Sequence, residues 1–187
     1  PGGFSALPSQ WVIDWRRWFE LDGAADGAEA RVNAARLIGP SLAPCTHTLP
    51  GAPGHEASLA LMLLRRGVLL GLPSGQDVAD AMHAILPELR PLNAEELGRG
   101  DTGSVIRSRV FRDRTPLWFY LLKEAEVRAG GRHLGPIGSR IIAEVIVGLL
   151  RADAQSYLTT TGGWTPTLPS REPGTFRMAD LLRLAGS

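Results

Sequence analysis

The stretch that most constrains this chain is Leu134 to Asp153, LGPIGSRIIAEVIVGLLRAD, its longest strongly apolar segment. Gly135-Pro136 can open a helix there, because proline is tolerated in a first turn that has no use for its missing N–H. Ile137, Ile141, Ile142, Val145, Ile146, Leu149 and Leu150 then recur at helical spacing as one wide apolar stripe. Gly138, Ala143 and Gly148 are small enough to let neighbouring backbones approach. Arg140 and Glu144, four residues apart, can pair on the remaining face. The run is too short and too charged to span a membrane. It predicts a buried central helix, in which Ile142→Ala or Ile146→Ala costs about 2–5 kcal/mol.

A chain of 187 residues suits one domain with a core large enough to stand alone. Twenty basic and nineteen acidic residues leave a formal net charge of +1, which argues against a nucleic-acid surface or a polybasic membrane anchor. The single cysteine, Cys45, excludes an internal disulfide and a cysteine-based metal cluster, and leaves the compartment open. Pro1-Gly2-Gly3 is not a natural translation start, so a piece of something longer is expected.

Along the chain, Trp11, Trp15, Trp18 and Phe19 fall at helical spacing, as core or interface anchors would. From Leu21 to Gly54 the periodicity fades into Gly- and Pro-punctuated connections, with a short helical piece over Ala28 to Ile38. His47 and His55 lack ligand-spaced partners. Glu56 to Leu70 is apolar almost all round apart from Arg65 and Arg66, so it predicts a helix buried among others, stopped by Gly71-Leu72-Pro73. Ser74 and Asp77 form a capping box for a helix with Val78, Ala81, Met82 and Ile85 inward and His83 beside them. Ala94 to Gly98 has room for one or two turns. Gly98 to Arg114 reads as a polar loop anchored by Val105-Ile106 and Val110-Phe111.

Thr115-Pro116 marks a helix start, with Thr115 as cap and Pro116 at the first helical position. Its inward face is Leu117, Trp118, Leu121, Leu122 and Ala125. Glu124 and Arg128 pair outside, and Gly130-Gly131 ends it. Thr159 to Gly174 is a second loop, and a last helix from about Arg177 to Leu184 closes at Gly186. Repeats, a phosphate loop, a metal-spaced cluster and convincing strand pairs are all missing from the pattern. The class is mainly α, with long irregular loops and few or no strands.

Five segments in order resemble the C-terminal part of the animal-type haem peroxidases, in particular their bacterial branch. They are WVIDWRRWFEL, LLRRGVLLGLPSGQDVADAM, TPLWFYLLKEAEV, GGRHLGPIGSRIIAEVIVGLLRAD with the nearby SYL, and FRMADLLRLA. The resemblance implies a mostly α-helical haem-peroxidase-like fold, with residues 1–187 a single helical unit of a larger domain. It implies one haem b bound between helices in the complete protein, and hydrogen-peroxide-dependent oxidation of small substrates. The family's distal histidine and arginine, its proximal histidine and its calcium loop lie upstream of the WVIDWRRWFEL-like segment. The catalytic and axial groups therefore fall to an N-terminal, haem-bearing part of the same precursor or to a partner chain. No catalytic residue and no metal ligand falls on this one.

What the resemblance places here is the family's Asn-x-x-Arg element, whose arginine reaches a haem propionate and whose asparagine supports the proximal histidine. The arginine matches Arg66; the asparagine position is Leu63. Leucine offers no acceptor to orient an axial imidazole. Without the resemblance, Arg66 reads as a partly buried arginine paired to a local acid or a helix end. Two functions follow. One is the C-terminal portion of a haem-dependent peroxidase, inactive as an isolated chain. The other is a non-catalytic module that kept the peroxidase scaffold, lost the haem and serves assembly or binding.

Overall fold

A computed structural model describes residues 13–19, 21, 35–49, 51, 58–160 and 165–186. Trp11, Val12, His55 and most of the expected Ala28–Ile38 piece lie outside them. Two compact units divide the chain, one made of Leu37–Ala152 and the other of Pro1–Arg36 with Asp153–Ser187. The described residues are helical and turn-rich, as the mainly α expectation has it. Their one extended pairing is an isolated antiparallel bridge between Ser74 and Pro116.

The larger unit carries α1 (Leu59–Leu69), α2 (Gly75–Ile85), α3 (Ala94–Leu97), α4 (Arg109–Asp113), α5 (Leu117–Ala129) and α6 (Pro136–Ala152). Local signals set their ends. Ser58 caps α1, and Gly71, at φ +61°, stops it in a conformation that favours glycine. Ser74 accepts from the Asp77 N–H at 3.1 Å and donates its own N–H to the Asp77 carboxylate at 3.2 Å, the capping box expected for α2. Gly130 closes α5 in the left-handed region.

The centre is α5, not α6. It packs against α1, α2, α3 and α6, and Phe119 and Tyr120 join Ala79, Leu92, Leu97, Ile106 and Ile137 in the core. Its buried face is Phe119, Tyr120, Lys123, Glu124 and Ala125. Of the face expected from apolar periodicity, only Ala125 is buried; Leu117, Trp118, Leu121 and Leu122 are half-covered. The helix is turned because its two buried charged side chains have partners, which a pattern of apolar residues does not register.

Four further expectations are corrected. In α6 only Ile137 and Gly138 are buried, while Ile142 is 48 % and Ile146 53 % exposed, because among the described residues the neighbours of α6 cover mainly its first turns. No residue of α1 is buried, and Val68 and Leu69 are 82 % and 85 % exposed. In α2 the buried residues are Gly75 and Ala79; Val78 and Met82 are half-buried and Ile85 is exposed. The Tyr120 ring explains that turn, since a Cβ on Gly75 would stand 2.1 Å from its Cγ. Thr115 does not cap α5: its hydroxyl donates to the Phe111 carbonyl at 2.9 Å, and Pro116 takes the cap position.

The stretch expected as a polar loop contains a 3-10 segment, Asp101–Arg107, and α4. Ile106 is buried there, and Phe111 meets Phe119 edge-on with centroids 5.1 Å apart. In the smaller unit a 3-10 turn, Trp15–Arg17, replaces the expected aromatic helix over the described residues, and Trp15 and Trp18 are exposed. This unit also holds α7 (Tyr157–Thr160) and α8 (Met178–Leu184).

Candidate functional site

Where α1 runs into α2 past the start of α5, the chain leaves an apolar cleft of about 590 Å³. Leu63, Leu64, Val68 and Leu72 form one wall, and Pro116, Leu117 and Trp118 form the other. Arg65 and Arg114 belong to this lining, and among the described residues no acidic one does. The shape follows from sequence: Gly71 turns the chain at the end of α1, and the Ser74–Pro116 bridge holds the turn against α5. The volume lies inside the roughly 300–1,000 Å³ of small-molecule sites.

The two positions singled out in α1 separate here. Leu63 is half-buried in the cleft wall, whereas Arg66 is exposed and outside the lining; the neighbouring Arg65 is the arginine that reaches it. His47 and His133 are exposed and His83 is half-buried on α2. Among the described residues no group of three or more His, Cys, Asp or Glu side chains is placed to hold a metal ion.

A polar cluster that sequence reasoning placed on the surface lies beneath α5 instead. The Glu124 carboxylate accepts the N–H groups of Ile137 and Gly138, both at 3.1 Å. Pro136 has no N–H, so this one side chain satisfies the open donors of the first turn of α6. Gly135 makes the approach possible: a Cβ there would lie 2.3 Å from Glu124 Cγ. Burial pushes the Glu124 carboxyl above the ordinary carboxylate range, against the downward pull of the two N–H donors and of Arg128. Both oxygens are committed to backbone, so Glu124 holds a helix rather than moving a proton for a substrate. A signal for it existed in the sequence: α6 is long, yet no Ser, Thr, Asp or Asn stands at its entry.

Lys123, also buried, donates to the Arg99 carbonyl, to Thr102 Oγ1 at 3.3 Å and to Glu126 Oε2 at 2.6 Å. Arg128, freed from the expected surface pair with Glu124, donates to Glu96 at 3.1 Å and to the Pro91 carbonyl at 3.0 Å. Tyr120 accepts the Leu92 N–H at 2.7 Å, and burial pushes its phenol up to about 12. These bonds pin α3 and the Asp101–Arg107 segment to α5.

In the smaller unit, Trp18 and Phe19 border a polar cleft of about 290 Å³. Its charges pair internally, Arg177 with Glu172 at 2.8 Å and Arg183 with Asp180 at 3.2 Å. The N–H groups of Arg177 and Arg171 hold the Asp180 carboxyl below its ordinary range, as suits an acid at the start of α8. The apolar cleft beside α1 is therefore the candidate site. No protein-family model matches this chain, and neither a curated protein nor a solved structure matches it.

Proposed function

We propose that this chain is the C-terminal portion of an animal-type haem peroxidase, completed by a haem-bearing part upstream in the same precursor or on a partner chain. The observation that carries the reading is the pair of helices α1 and α6, whose apolar residues the described chain leaves largely uncovered. Monomeric domains seldom expose contiguous apolar surface beyond a few hundred Å². Helices that are part of a larger helical domain have this character, and the five family-like segments in order support that domain being a peroxidase.

The cleft fits a haem only in part. Its apolar walls suit a porphyrin, but among the described residues no histidine, cysteine, tyrosine or carboxylate lines it, and Arg66 lies outside the lining. The iron's axial ligand then comes from the completing part, and no catalytic step is assigned to this chain. Arg66, exposed beside the cleft, is the proposed propionate arginine. A non-catalytic scaffold is the second reading, favoured by Leu63, which gives an axial imidazole no acceptor.

Co-expression with the precursor's upstream region tests both. The peroxidase reading expects a Soret band and peroxide consumption in the assembly, with haem retention weakened by Arg66→Ala more than by Arg65→Ala. An assembly without a Soret band leaves the scaffold reading. A histidine-ligated, stoichiometric haem spectrum on this chain alone contradicts both.

A further inference from the structure

We draw no further inference here: the strongest candidate, the apolar groove between α2 and α6 lined by Val78, Ala81, Met82 and Ile85, carries nothing because nothing in the structure shows what covers it.

Discussion

Glu124→Ala removes the side chain that satisfies the start of α6, and the cost can be worked from the geometry. In the native chain the carboxylate is fully buried and accepts the Ile137 and Gly138 N–H groups at 3.1 Å each. Truncation orphans both donors. A buried donor without a partner costs about 1–3 kcal/mol, and water entering the vacated space returns part of that. The expected loss is therefore about 2–5 kcal/mol, a large share of the roughly 5–15 kcal/mol that holds a domain together. Urea titration followed by far-ultraviolet circular dichroism measures it, and amide exchange gives a local readout, since the Ile137 and Gly138 protons should lose protection first. Gly135→Ala supplies a control. With Glu124 present, its Cβ collides with Glu124 Cγ at 2.3 Å, so the change is disruptive. With Glu124 already truncated, the collision disappears, and the two changes should be clearly non-additive. A Glu124→Ala loss below about 1 kcal/mol, or simple additivity with Gly135→Ala, refutes the capping role.

Four further outcomes follow from the same packing. Because burial raises the Glu124 carboxyl, its contribution to stability is complete below the unfolded value of 4.5 and is lost as pH rises through the raised folded value. Wild type should therefore lose stability relative to Glu124→Gln from about pH 4.5 upward, which paired urea titrations across pH would detect. Gly75→Ala forces a Cβ to within 2.1 Å of Tyr120 Cγ and should cost about 1–3 kcal/mol or more by thermal or urea denaturation. Tyr120→Phe leaves the buried Leu92 N–H without its acceptor and should cost about 1–3 kcal/mol in the same assay. Ile146→Ala, at a site 53 % exposed, should cost only about 1 kcal/mol in the isolated chain; a loss of 3 kcal/mol or more would mean that this face is covered in solution.

The sequence by itself determined where most of the larger unit's helices begin and end. Ser74 with Asp77, Gly71, Gly130 and Pro136 act through backbone stereochemistry and hydrogen bonds that span no more than a few residues, so a short window contains the whole cause. Thr115 is the instructive exception: its cap signal was outcompeted by a neighbour, because Gln76, 39 residues away, accepts its N–H at 3.0 Å while its hydroxyl turns to Phe111. Only the tertiary structure decided which face of each helix is inside. The apolar stripes of α1 and α6 were legible, but burial belongs to a pair of surfaces, and most of each stripe meets no partner among the described residues. Leu63 was in view and proved to line the cleft; that Arg65 rather than Arg66 joins it depended on how α1 sits against the start of α5. Glu124 and Lys123 look like solvent-facing charges in a helical pattern. They are buried because their partners, the start of α6 and the segment around Arg99, come from 13 and 24 residues away, and only chain folding brings those donors and acceptors within reach.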